Sequence, residues 1–245
     1  MKQGLLPYGV EVVEEAGAVT ARGGLALVVE AMRALGVSRA LKQHVRIRQR
    51  ARGTDEVAMI EALIMLLVGG GECIDDMAVL RADHGLCRLL DRTLPSPDVV
   101  RRFLYEFHDP ELIEQARRER APKQVAYIPG EKAALRGLAH ANVALLHRVA
   151  AQGKSTKATL DHDATIQESH KQESLAHYKG GRGYQPSVIY WAEQDLVVAD
   201  EYRDGNVPAG MENLRLIQRG FASLPATVTE YAFRGRVEMW RGSLG

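Results

Sequence analysis

The residues whose types and spacing best suit chemistry are Asp161-His162-Asp163-Ala164-Thr165. In an extended segment, side chains two apart project to the same face, so Asp161 and Asp163 would stand side by side. Two carboxylates at a strand end, followed by a polar run, suit a hard cation such as magnesium, which prefers oxygen ligands. Aspartates at strand ends also serve turns, and the spacing alone leaves both readings open. His162, His170 and His177 lie close by in sequence. They are spread along a loop-like run, with His162 alternating onto the opposite strand face, so zinc is the weaker expectation.

A second feature is basic. The run Lys42-Gln43-His44-Val45-Arg46-Ile47-Arg48-Gln49-Arg50-Ala51-Arg52 contains no acid. Lys42, Arg46, Arg48, Arg50 and Arg52 could pair with DNA phosphates in a sequence-independent, salt-sensitive way. The same run would equally serve as a solvated turn between two helices. Arg117-Arg118-Glu119-Arg120 reads instead as a helix C-terminus, where cations complement the helix dipole. Cys73 and Cys87 are too far apart for a tight metal pair and read as packed thiols of a reduced, cytoplasmic chain. Gly69-Gly70-Gly71 lacks the Lys and Ser/Thr of a phosphate-binding loop, which argues against a nucleotide cofactor.

The elements that must position these residues fall into two textures. At 245 residues, 46% hydrophobic and 26% charged, the chain can bury a sizeable core. A net charge of +1 means that any nucleic-acid role rests on local segments. The longest apolar stretch, Val57 to Val68, contains Glu61 and is shorter than the ~20 residues of a membrane span. Helical periodicity covers Gly24–Leu35, Glu56–Val68, Cys73–Arg81, Gly85–Leu90, Val99–Phe107, a segment opened by Asp109-Pro110, and Glu131–Ala150. After Gly153 the pattern becomes strand-like at Thr156–Asp163, Pro186–Ala192 and Asp195–Tyr202, with Glu193-Gln194 as a hairpin turn. A helix over Met211–Ala222, with Met211, Leu214, Ile217 and Phe221 inward, precedes a last strand at Ala226–Phe233. The expectation is an α+β chain.

Several runs, in order, resemble the DDE transposases of bacterial insertion sequences. Thr159-Leu160-Asp161-His162-Asp163-Ala164-Thr165 is similar to their first catalytic strand, in which the metal-binding Asp precedes a Thr by two residues. That register selects Asp163 as first catalytic carboxylate and metal ligand, with Asp161 as a helper. Gln172-Glu173, Tyr178-Lys179-Gly180 and Gly183-Tyr184-Gln185-Pro186 resemble the series leading into the second strand. Arg203-Asp204-Gly205-Asn206 resembles the Arg-x-Gly-Asn after the third. Upstream, Gly70 to Asp76, Leu80 to Asp83 and Leu94 to Pro97 are similar too, so the likeness runs from about Val10 to Gly235. The helical periodicity reads as an N-terminal domain over 1–150, and the resemblance implies a partial RNase H-like mixed β-sheet domain over 151–235. It also implies magnesium as cofactor and metal-dependent DNA cleavage and strand transfer.

The resemblance also sets an expectation about the end of the chain. The family's second Asp follows the fourth core strand in a run like Arg-Gly-Asp-Ser; here Arg234-Gly235 is followed by Arg236. Residues 236–245 form a divergent tail, as a frameshift after Gly235 would produce, and Glu238 is a poor substitute. The expected chain is truncated and catalytically inactive. The expected partner is DNA at the element's terminal inverted repeats, with a homodimer left open and neither membrane nor small-molecule substrate. Two other readings stand beside it: a non-catalytic DNA-binding remnant, and a fragment with an uncovered sheet that aggregates.

Overall fold

A computed structural model describes residues 19–47, 55–153 and 155–235. The helices are α1 (Gly24–Ala34), α2 (Val37–His44), α3 (Glu56–Val68), α4 (Met77–Ala82), α5 (His84–Leu89), α6 (Pro97–Tyr105), α7 (Pro110–Glu119), α8 (Ala133–Gly153) and α9 (Asn213–Ala222). The strands are β1 (Lys157–Ala164), β2 (Gln167–Glu168), β3 (Leu175–Ala176), β4 (Arg182–Tyr184), β5 (Ser187–Trp191), β6 (Leu196–Glu201) and β7 (Glu230–Gly235). None of the described helices is long and apolar enough to cross a membrane.

The chain forms two compact units, Met1–Ala34 with Ile47–Phe107, and Leu35–Arg46 with His108–Gly245. The sequence reading divided the chain at Ala150 by element type; by compactness, α2, α7 and α8 join the sheet.

The first unit is helical. Its starts are capped as local chemistry dictates: Asp83 Oδ1 accepts from the Leu86 amide at 2.8 Å, and Ser96 Oγ from that of Val99 at 3.4 Å. Met59, Met65, Met77, Leu86, Leu94, Val100 and Phe103 are fully buried. The helix expected over Cys73–Arg81 is a 3-10 turn (Ile74–Asp76) followed by α4, because Asp76 turns back to accept the Glu72 and Cys73 amides at 2.8 and 3.0 Å. That turn leaves Cys73 exposed, correcting its expected packing; Cys87 is partly covered.

In the second unit a four-stranded sheet has the order β6-β5-β1-β7. β5 runs antiparallel to both β6 and β1, whereas β7 runs parallel to β1. With the long strands numbered in chain order this is 3-2-1-4, a mixed sheet, and the fold class is α+β as expected. Alternation sends Ala158 and Leu160 of β1 into a core with Ile189, Trp191, Leu216 of α9, and Leu146 and Ala150 of α8. Full burial of an aliphatic side chain such as Leu160 or Ile189 stabilises by about 1.5–3 kcal/mol. α9 presents Leu216 and Gly220 to the sheet, with Ile217 and Phe221 packed alongside, while Leu214, expected inward, is exposed. A Cβ on Gly220 would stand 2.8 Å from Ile189 Cγ2, so the missing side chain sets how closely the helix lies on the strand.

Three further features differ from the sequence expectation. Lys42 to His44, read as the start of a basic run that is either a DNA-phosphate patch or a solvated turn, end a helix, α2, whose apolar face of Val37, Ala40 and Leu41 is buried. The last strand begins at Glu230, not Ala226, because a turn closes with Val228 N donating to Pro225 O at 3.0 Å. The polar run after β1 holds a second sheet, β2-β4-β3, where a loop was expected. Its strands are too short to show alternation, and polar bonds hold it instead. Arg182 donates to the Gln172 and Ser174 carbonyls at 2.6 and 2.9 Å, and Ser174 Oγ to Lys171 O at 2.7 Å.

Candidate active site

β1 is the centre of the site because it is paired on both sides. Its register places Asp161 opposite Tyr190 of β5 and Arg234 of β7, and Asp163 opposite Val188. Among the described residues the parallel ladder reaches His162↔Gly235. Thr159, Asp161 and Asp163 share the face turned away from Leu160, as alternation requires.

The two aspartates have different surroundings. Asp163 is exposed, and its Oδ2 accepts a hydrogen bond from the Thr165 hydroxyl at 3.1 Å. Asp161 is held by Arg234 in a two-pronged pair, Nε to Oδ1 and Nη2 to Oδ2, both at 2.7 Å. A fork of this kind fixes geometry as well as charge. Farther back on the same face, Glu193 in the β5–β6 turn accepts from the Thr159 amide at 2.6 Å and the Thr159 hydroxyl at 2.5 Å. Burial would raise the pKa of Glu193, but these two donors outweigh it and hold the carboxyl below the usual range.

Behind the aspartates, His162 is buried with its Nε2 2.7 Å from Ser187 Oγ. Burial pushes its pKa down, and the positive Arg203 adds to that, against the opposing pull of Asp163. The Arg-x-Gly-Asn run is structural. Arg203 is buried, with Nε on Glu201 Oε2 at 2.7 Å and Nη1 on Asn213 Oδ1 at 3.1 Å. Gly205 is required because a Cβ there would lie 2.6 Å from the carbonyl oxygens of both Gly183 and Leu175. Gly183 is required too, with Gln167 O only 2.1 Å from its would-be Cβ. These glycines let the second sheet close against the loop that follows β6.

Of the basic residues named from sequence, Lys42 is exposed on α2 and Arg46 is exposed just beyond it. Arg48, Arg50 and Arg52 lie outside the described residues, as do Arg236 and Glu238. The three histidines do not converge: His162 and His177 are buried separately and His170 is exposed. Among the described residues, no group of three or more His, Cys, Asp or Glu side chains could hold a metal ion. With Asp161 tied to Arg234 and Glu193 to Thr159, Asp163 is the exposed carboxylate of this face. One monodentate oxygen does not fit magnesium, which keeps its water unless several ligands converge.

The Arg234–Asp161 fork, the Glu193–Thr159 bonds and the buried Arg203–Glu201 pair were missed from sequence. Each joins residues whose neighbourhood depends on strand register. No curated protein and no solved structure matches the chain. The family described as transposase DDE domain group 1 matches residues 7–236, and the chain belongs to that family of DDE transposases.

Proposed function

We propose that this chain derives from the transposase of a bacterial insertion sequence, which cuts and rejoins DNA at the element's terminal inverted repeats by metal-dependent chemistry. Asp163 is its first metal-binding carboxylate, with magnesium as the expected ion. The observation that carries the reading is the parallel pairing of β1 with β7. The described ladder reaches His162↔Gly235, and the family's second carboxylate follows this strand in sequence, which supports a metal site toward the Asp163 end of the sheet. Asp161 serves this arrangement through Arg234, by tying β7 to β1.

In this chain the residue after Gly235 is Arg236, and a cation at that sequence position supplies no ligand. That supports a chain which does not cut DNA by itself. The same observation favours a second reading, a non-catalytic DNA-binding remnant that competes for the terminal repeats. The test is incubation of the purified chain with labelled terminal-repeat duplex and magnesium. Salt-sensitive binding without cleavage is expected. Magnesium-dependent nicking that disappears in Asp163→Asn would refute the inactive reading while supporting Asp163 as ligand. Sequencing past the Gly235 codon tests the origin, with another frame reading Gly-Asp-Ser as the expected result.

A further inference from the structure

Most described arginines are committed within the protein. Arg33, Arg101, Arg117, Arg215 and Arg234 form ion pairs, and Arg81, Arg136, Arg148 and Arg182 donate to carbonyls. Among the described arginines, Arg39 and Arg46 alone have no hydrogen-bond or ion-pair partner. Both belong to the short stretch around α2. Arg39, Lys42 and Gln43 are exposed at helical spacing on one side of it, and Arg46 is exposed one residue past its C-cap, Val45. The other side, Val37, Ala40 and Leu41, is buried.

Helix electrostatics explain only part of this. A cation in the last turn, such as Lys42, complements the dipole, but Arg39 lies in the first turn, where a cation is disfavoured. That turn carries no acid to offset it. An uncompensated row of cations on a firmly seated helix matches an external polyanion.

The seating is firm. A Cβ on Gly137 of α8 would stand 2.3 Å from His44 O, so α2 and α8 touch backbone to backbone. Arg148 of α8 donates to Leu35 O and Gly36 O at 2.7 and 2.9 Å, just ahead of α2. α8 in turn supplies Leu146 and Ala150 to the core that holds β1. The row thus belongs to the same compact unit as Asp163.

We propose that α2, through Arg39, Lys42 and Arg46, grips the phosphate backbone of duplex DNA and holds it in a fixed orientation relative to the sheet carrying Asp163. This rests on the reading of the chain as DNA-acting and adds Arg39 and the place of the contact. The contact carries no base readout and should be indifferent to sequence.

The test measures affinity of the full chain for duplex DNA across a series of salt concentrations. The wild type is compared with the triple variant Arg39→Gln, Lys42→Gln, Arg46→Gln and with the charge-keeping Arg39→Lys, Arg46→Lys. Loss of three phosphate contacts should reduce the slope of log affinity against log salt by about 3 (roughly 0.9 per contact). The charge-keeping variant should retain the wild-type slope. As a second measurement, DNA should protect Lys42 from acetylation in the wild type, which needs no variant to fold. Wild-type binding with an unchanged slope in the triple variant and no protection of Lys42 would overturn the role of α2 while leaving the DNA-acting reading intact. No wild-type binding to any duplex would sink both. Binding to anionic vesicles in place of DNA would also overturn the proposal.

Discussion

Replacing Arg203 with Met tests whether the Arg-x-Gly-Asn run is a packing device. The Arg203 and Glu201 side chains are only 1% and 6% exposed, and they meet at 2.7 Å. Removing one partner of a buried pair typically costs 3–5 kcal/mol, because the other charge is left without compensation. Here Arg215, about half exposed, also reaches Glu201 and would remain. The expected loss is therefore below that range, about 2–3 kcal/mol. For a unit of this size that corresponds to a fall in Tm of roughly 5–10 °C. Trp191, buried beside β1, reports unfolding in urea once Trp240 is replaced by Phe. Adding Glu201→Gln to Arg203→Met should restore about 1–2 kcal/mol, since it removes the stranded charge. The reasoning fails if Arg203→Met lies within about 0.5 kcal/mol of wild type, which is the range of an ordinary surface change. It fails equally if the double variant is no more stable than the single one.

Other outcomes follow from the same structure. Gly137→Ala should lift α2 from α8, at a cost of about 1–3 kcal/mol, because the new Cβ meets the His44 carbonyl and not a yielding side chain. Faster hydrogen exchange of the α2 amides would report it, and exchange at the wild-type rate would refute the close seating. His162 is held neutral in the folded chain by burial and Arg203, so its folded pKa lies below the unfolded value. Its contribution is present above about pH 6.5 and is lost as pH falls through the folded pKa. Urea titrations at several pH values should show this loss, and His162→Gln should flatten it. For Asp83, burial opposes ionisation, but the Thr20 hydroxyl, the Leu86 amide and Arg22 outweigh it and depress the pKa. Its stabilisation of the first unit is therefore present above about pH 4 and lost as pH falls below that. In Asp83→Asn, acid unfolding monitored by circular dichroism should lose this component; an unchanged acid limb would count against the cap.

What the sequence determined by itself was what depends on near neighbours. Periodicity and caps located α1, α3, α6, α7 and α8 within a few residues, since Ser96 and Asp109 act on amides two or three positions away. Alternation located β1, β5 and β6, and the family motifs supplied the expectation of a mixed sheet. It missed α2 because Val37, Ala40 and Leu41 recur at helical spacing over only eight residues, too short a run to stand out, and their burial depends on α8. Only the tertiary structure separated the fates of Asp161 and Asp163. Their equivalence by spacing is broken by the parallel register that brings Arg234, 73 residues away in sequence, onto one and not the other. A one-residue slip in that register would turn Arg234 to the opposite face, and no local pattern encodes which register is taken. The same holds for Arg203: its motif was visible, but its task depends on Glu201 being buried beside it, a consequence of how α9 closes over the sheet.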